Sequence, residues 1–447
     1  MLRNIICTIL TFVSVLINAQ ASQQFVTRSG STLQLDGKVF RSVGTNLYWL
    51  GLDENVNGIH YPTQFRITDG LETAAGLGFR MVRGHTLGVS TGNPLSFEPS
   101  FGVFNDSALL AADWAIAEAT RLGLKLQIPL TDNWRYYHGG KHDFTTWVGE
   151  PDETKFFTNT AAIAAFYDYV QHRLLHVNPF TGLQAINETA IFCWESGNEF
   201  SKAPAEWTLN LAEFIKKIDS NHLVMDGTNG IVDASLLSPS VDLYSQHFYP
   251  ASASALVSAA TRVAAQNKVF INGEYGWNDG SVNITAYLDT VVATQNVAAS
   301  LFWSIFPHAD SHGFVNHSDG FTVHYPGDNA IMTNFINTAR VHAATIMGQS
   351  TPLPFPSPLS PMITAITTLS NYATSLAWRG VAFAVTYDVQ NSQTLAGPWT
   401  DVCSACGTDL DTPISLPAQT IPVGSYLRCR GVNEDGVTGA WSAPTKV

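Results

Sequence analysis

The stretch AIFCWESGNEF, residues 190–200, opens with a short apolar run, AIFCWE at 190–195, that finishes in Glu195 and leads directly to Asn198 and Glu199. Apolar residues without alternation over so few positions describe a strand buried on both faces, as in parallel sheets. Similar runs stand on either side of it. Upstream are VFRSVGTN ending at Asn46, GFRMVRG at 78–84 and LKLQIPL at 124–130. Downstream are HLVMDG at 222–227, VDLYSQHF at 241–248, KVFINGE at 268–274 and ASLFWSI at 299–305. Segments of helical character separate them. In SALLAADWAIAEATRLG, residues 107–123, Leu109, Leu110, Ala112, Ala115, Ile116 and Ala119 recur at three- and four-residue spacing, and Gly123 stands at the stop position. Eight strands alternating with helices over about 300 residues predict an α/β fold, a (β/α)8 TIM barrel. An open doubly wound sheet has the same period and is the alternative.

The 447 residues, 45% hydrophobic and 11% aromatic, suffice for this domain and a smaller one. STPLPFPSPLSP, residues 350–361, has five prolines in twelve positions and reads as an extended linker. Residues 362–447 alternate apolar and polar positions between Gly, Asn, Asp and Pro turns, the pattern of a small all-β sandwich. The first 21 residues carry Arg3, an apolar stretch from Ile5 to Ile17, and Ala19 and Ala21 in small-x-small spacing, so cleavage is expected after Ala21. The apolar stretch is shorter than the roughly 20 residues of a membrane span. The expected organisation is a signal peptide at 1–21, a barrel domain at 22–349, a linker at 350–361 and a sandwich at 362–447, in a secreted, extracellular, monomeric protein.

Export leaves Cys193, Cys403, Cys406 and Cys429 in an oxidising compartment, and Asn105, Asn187, Asn283 and Asn316 stand in glycosylation sequons. One disulfide is expected, between Cys429 and either Cys403 or Cys406, or within the C-x-x-C loop. With 13% charged residues and a net charge of −13, the long-range field repels phosphate backbones and anionic bilayers. Neither nucleic acid nor membrane is an expected partner.

In a (β/α)8 barrel the strand C-termini open on one face, where functional side chains gather. The predicted strands finish at Asn46, Arg83, Asn133 with Trp134, Asn198 with Glu199, His247 with Tyr249, Glu274, and Trp303. Glu199 and Glu274 are the candidate catalytic pair. Hydrolysing a glycosidic bond with retention takes one carboxylic acid and one carboxylate about 5 to 5.5 Å apart. The acid is expected to have a raised pKa from burial and a neighbouring carboxylate, whereas the nucleophile needs a cation or hydroxyl donor to stay charged. Glu195 stands earlier on its strand and is expected to pair with a buried partner; Cys193 is expected to be a core filler. His308, His312, His317 and His324, with three aspartates in the following loop, have no strong ligand spacing, so no metal and no cofactor are expected. Of Trp49, Trp134, Trp147 and Trp277, a few are expected to be stacking platforms and the rest core.

WESGNE (194–199), SQHFYP (245–250), NGEYGW (272–277) and MVRG (81–84) resemble the signatures of glycoside hydrolase family five. GTNLYWL (44–50), Asn133 with Trp134, and DGFTVHYPGD (319–328) resemble its endo-β-1,4-mannanase branch, and the resemblance covers most of residues 24–345. It implies that Glu199 is the acid/base and Glu274 the nucleophile of a retaining enzyme acting on β-mannan. Asn198 would bind the sugar 2-hydroxyl, Arg83 and Tyr249 would hold Glu274 ionised, His247 would sit beside Glu199, and Trp303 would floor the subsite before the cleavage point. Exo-acting β-mannosidase, β-glucan hydrolase and transglycosylase readings share this constellation, and a non-catalytic carbohydrate-binding protein is the alternative of another class. Trp378, TYDVQNS (386–392) and YLRCRGVNEDGVTGAWS (426–442) loosely resemble a fibronectin type III domain.

Overall fold

Each of the eight predicted runs forms a strand, and the strands close in chain order. The structure, a computed structural model, describes residues 24–278, 280, 282–369, 373–417 and 421–447; the expected signal peptide lies outside the described residues. A small antiparallel sheet, β1 (Thr27–Ser29), β2 (Thr32–Leu35) and β3 (Lys38–Phe40), comes first. Then β4 (Ser42–Asn46), β5 (Met81–Arg83), β6 (Lys125–Pro129), β7 (Ile191–Glu195), β8 (Leu223–Asp226), β9 (Leu243–Phe248), β10 (Val269–Tyr275) and β11 (Val297–Phe302) pair in parallel, and β11 pairs back onto β4. The fold is a (β/α)8 barrel, not an open sheet. Except for Gln246 and His247 in β9, every residue of these strands is buried, which is why they read as unbroken apolar runs. Leu33 and Phe40 of the small sheet pack with Met81, Leu223, Leu243 and Val269, closing the barrel at its strand N-termini.

The helices are α1 (Gln64–Gly76), α2 (Leu110–Leu122), α3 (Lys141–Trp147), α4 (Thr160–Leu175), α5 (Ala205–Ile218), α6 (Asp233–Leu236), α7 (Ala253–Ala264), α8 (Ile284–Ala293) and α9 (Ala330–Ile346). The segment read as a helix over 107–123 is α2 preceded by one 3-10 turn, because the Asn105 side chain accepts from the Ser107 amide and tightens the entry. Gly123 ends it at φ 70, the left-handed position that glycine takes without a Cβ penalty. Ala111, Ala112, Ala115, Ile116 and Ala119 are buried, but Leu110 is 47% exposed because the 3-10 turn rotates the first residue off the packed face.

Downstream, β12 (Met362–Thr368), β13 (Thr374–Arg379) and β16 (Ile414–Leu416) form one antiparallel sheet. A second is made by β14 (Thr386–Ser392), β15 (Thr400–Cys403), β17 (Tyr426–Val432) and β18 (Thr445–Lys446). The two enclose a core that includes Leu376, Trp378, Tyr387, Val389, Leu427 and Cys429. Strict in–out alternation along β17 is the physical source of its period-two pattern. Of the disulfide pairings left open by sequence, Cys403–Cys406 is the one formed. Cys429 is a free thiol in the core, and Cys193 is likewise buried and free.

Candidate active site

Strand β7 ends at Glu195, where the predicted run at 190–195 ends, and Asn198 and Glu199 stand on the short turn after it. That turn is pinned to its neighbours: the Asn198 amide donates to Thr131 O at 2.8 Å and the Phe200 amide to Gly227 O at 3.0 Å. The Phe200 ring is fully buried against Phe157 and Trp207, and a side chain at Gly197 would collide with it. Between these anchors Glu199 adopts φ 53, a left-handed backbone that a glutamate rarely takes and that the surroundings must impose. Its carboxylate is thereby aimed into the barrel mouth.

Glu274, within β10, faces it. One oxygen of Glu199, one of Glu274 and a ring nitrogen of His247 all lie within 4.8 Å of one another. Arg83 is completely buried beneath them. Its Nη1 donates to Glu274 Oε1 at 2.5 Å, its Nη2 to Asn198 Oδ1 at 2.9 Å, and its Nε and Nη2 grip Glu195 at 2.8 and 2.9 Å. Glu195 is thus the buried partner of Arg83, as its place on the strand suggested. The Tyr249 hydroxyl donates to Glu274 Oε2 at 3.1 Å. His247 Nδ1 donates to Glu199 Oε1 at 2.7 Å, and the Trp134 indole to Glu199 Oε2 at 2.7 Å.

These contacts act unequally on the two carboxyls. Burial would raise the Glu274 pKa, but the charge of His247, the His85 contact and the Arg83 guanidinium hold it well below the usual carboxylate range. Burial also pushes Glu199 up, as does the Glu274 charge, yet the hydrogen bonds from His247 and Trp134 leave it below its ordinary value. This corrects the expectation of a raised acid: the unliganded site supplies Glu199 with two donors, and donors favour the ionised form. Burial would deprotonate Arg83, but Glu195 and Glu274 more than offset it, so the guanidinium keeps its charge. His85, buried beside Arg83, is pushed down and stays neutral.

Glu199, Glu274, Asn198, His85 and Tyr249 line a cavity of about 340 Å³, with Tyr48, Glu54, Tyr136, His138, Trp303 and Asp319 among its other walls. Trp303 stacks on Tyr48 at 5.2 Å, 8° from parallel, and its indole donates to Asp319 Oδ2 at 2.5 Å. Trp134, 45% exposed, stands at the rim. Asn133 does not reach the cavity: it is buried, and its Oδ1 is taken by Lys141 Nζ at 2.5 Å and the Ser201 amide at 3.2 Å. Trp49 and Trp277 are core residues, and Trp147 packs against Phe144 at the core edge. Of the four loop histidines only His317 lines the cavity.

Asp132, His85, Tyr48, Tyr136 and Asp319 escaped the sequence reading. Asp132 accepts from Asn198 Nδ2 at 3.2 Å and contacts His138 at 3.2 Å, and its position directly before Asn133 and Trp134 was the available signal. Tyr48 sat inside the quoted GTNLYWL run, whereas nothing local marks Tyr136. Among the described residues, Glu199, His247 and Glu274 are the one group with metal-like spacing. The Arg83 guanidinium supplies one positive charge beside Glu274, shared with Glu195.

Comparison with known proteins identifies relatives of the chain. The chain is 30% identical over 224 residues to mannan endo-1,4-beta-mannosidase 1 of Arabidopsis thaliana, covering 47% of this chain and 52% of the relative. It is 27% identical over 342 residues to mannan endo-1,4-beta-mannosidase A of Hypocrea jecorina, covering 69% and 76%. The match thus spans about half the length of the plant relative and about three quarters of the fungal one. Among solved structures it resembles the endo-1,4-beta-mannanase of Rhizomucor miehei, with a TM-score of 0.62 and 27% identity over 73% of this chain and 100% of that one. Residues 23–252, just over half the chain and including Arg83, Asn198, Glu199 and His247, match the family described as GH family 5 beta-mannosidase-like, and the protein belongs to that family.

Proposed function

We propose that the protein is a secreted, retaining endo-β-1,4-mannanase. The observation that carries this reading is the facing pair Glu199 and Glu274, with oxygens within 4.8 Å, on which the surroundings act unequally. That separation suits direct attack on the anomeric carbon and is too short to admit a water between carboxyl and sugar. Glu274, kept ionised by His247, His85 and Arg83 and held by the Tyr249 hydroxyl, attacks the anomeric carbon while Glu199 protonates the departing glycosidic oxygen. The resulting glycosyl ester on Glu274 is then cleaved by water, whose proton returns to Glu199. Because the hydrogen bonds from His247 and Trp134 hold Glu199 low in the free site, substrate binding has to weaken those donors for Glu199 to carry the proton it delivers. Asn198 gives one amide N–H to Asp132 and keeps the other for the sugar 2-hydroxyl. Trp303, braced by Tyr48 and Asp319, offers a flat floor for a pyranose.

The names of the plant and fungal relatives favour mannan as the polymer. Secretion rests on residues 1–21, and a fibronectin type III-like reading of residues 362–447 is supported by their division into three- and four-stranded sheets. The test is the purified protein, without residues 1–21, on soluble galactomannan, with a soluble cellulose derivative in parallel. A fast viscosity drop with few new reducing ends on mannan only is expected. Slow release of ends without viscosity loss would replace the endo reading by an exo one.

A further inference from the structure

The loop after β11, residues 303–328, has two sides. One side serves the cavity: Asp319 orients the Trp303 indole, and His317 Nδ1 lies 3.1 Å from the Tyr48 hydroxyl on which Trp303 stacks. The other side carries His308, which is buried and takes no part in the chemistry above. Its Nδ1 faces Asp69 Oδ2 of α1 at 2.9 Å, and its Nε2 faces Asp409 Oδ2 of the C-terminal sandwich at 3.1 Å. Asp409 is itself fixed by the core of that domain, accepting from the Trp378 indole at 3.1 Å and the Tyr387 hydroxyl at 2.9 Å.

We propose that the sandwich is a working part of the cleft: through Asp409 and His308 it holds the loop bearing His317 and Asp319, so that His308 and Asp409 are positioning residues for the site. The inference rests on the glycosidase reading for its kinetic consequence, though not for the tether itself.

Two carboxylates on one imidazole require a proton on each ring nitrogen. Burial acts to lower the His308 pKa, but the charges of Asp69 and Asp409 outweigh it and push it up to about 10. The remaining faces of the ring are closed. Phe314 stacks on it at 4.5 Å, with His324 beyond at 4.4 Å from Phe314, and Gly380 of the sandwich lies so close that a Cβ there would strike both His308 and Asp409. Further contacts run beside this one. Thr364 Oγ1 donates to Ser311 O at 2.8 Å, Asp310 pairs with Arg66 of α1 at 3.1 Å, and the Arg379 guanidinium lies 3.8 Å over the Phe65 ring. Phe383 and Phe355 are buried within the barrel's own apolar core, beside Tyr325 at the end of the same loop. A domain so anchored transmits its position to the loop, because packed interfaces yield little to small displacements.

The test compares wild type, Asp409→Asn and Thr364→Val, with Leu427→Ala as a control that weakens the sandwich core away from the loop. Amide hydrogen exchange of residues 304–325 is read beside kcat and KM on a soluble galactomannan. The expected result is faster exchange at 315–321 in Asp409→Asn, a smaller rise in Thr364→Val and none in Leu427→Ala. With it goes about a tenfold fall in kcat/KM for Asp409→Asn, carried mainly by KM. Unchanged exchange in Asp409→Asn, or a rise equal to that in the control, would overturn the tether. Faster exchange with unaltered kinetics in an active enzyme would overturn the positioning role. If wild type cleaves no polymer, the glycosidase reading fails separately, and the exchange pattern still decides the tether. Should Asp409→Asn not fold, the comparison of Thr364→Val with Leu427→Ala makes the same distinction.

Discussion

Arg83 and Glu195 form a fully buried two-point pair, with Nε and Nη2 at 2.8 and 2.9 Å from the two carboxylate oxygens. Because that grip sets where Nη1 meets Glu274, Glu195 positions the proposed nucleophile through Arg83. Glu195→Ala removes the two-point partner of a buried guanidinium, leaving it Glu274 and Asn198, and is expected to cost about 3 kcal/mol of stability. Glu195→Gln, which keeps the shape, should fold and lose activity chiefly in kcat. Chemical denaturation with steady-state kinetics on both variants checks this; equal and near-normal kcat in Gln and wild type would show the charge at Glu195 to be dispensable.

Removing the proposed nucleophile has a sharper signature. Glu274→Ala should lower kcat on the order of 10⁴-fold or more while oligosaccharide binding persists, since the pocket walls Trp303, Tyr48 and Asn198 remain. Calorimetric titration with a manno-oligosaccharide checks the binding. Turnover within tenfold of wild type would remove Glu274 from the mechanism.

The pH profile follows from the two carboxyls. Glu274, held well below the usual range, becomes protonated only in strong acid, so the acidic limb of kcat/KM should lie far down the scale. Glu199, lowered by His247 and Trp134, loses its proton early as pH rises, so the alkaline limb should also be displaced toward acid. His247→Asn weakens the donor to Glu199 and leaves burial and the Glu274 charge to dominate. The alkaline limb should then move to higher pH, with a lower maximal rate. An unmoved limb in His247→Asn would contradict the assignment of that limb to Glu199.

His308 makes stability depend on pH in the opposite sense to a depressed carboxylate. Its folded pKa is raised to about 10, so its contribution is complete below the unfolded histidine value and is lost as pH rises through about 10. The melting temperature of wild type should therefore fall between pH 7 and pH 10 by more than that of His308→Gln. Parallel declines in the two proteins would mean that other groups control alkaline stability.

Much of this was legible in the chain because burial on both faces leaves a plain mark. The runs around Val43, Val82, Leu126, Phe192, Val224, Tyr244, Ile271 and Leu301 gave all eight barrel strands in order. Functional residues that terminate those runs, such as Arg83, His247 and Glu274, came with them. What escaped lies in the loops, where partners are far apart in sequence: Tyr48 with His317, Trp303 with Asp319, and His308 with Asp69 and Asp409. Asn133 was misread for a related reason. Its neighbour Trp134 does reach Glu199, but a one-residue step in an irregular turn pointed the amide toward Lys141 instead. The sign of the Glu199 shift was also beyond the sequence, since it turns on two donors, one 48 and one 65 positions away.

The central claim is that Glu274 attacks the anomeric carbon, and the anomer first released reports on it most directly. Proton NMR of a manno-oligosaccharide digest, recorded within the first minutes and before mutarotation, resolves the α and β reducing-end signals. Two displacements at one carbon return the starting configuration, so the account predicts β product first, relaxing later to the equilibrium mixture. Initial accumulation of the α anomer would mean a single displacement by water and would contradict Glu274 as the nucleophile.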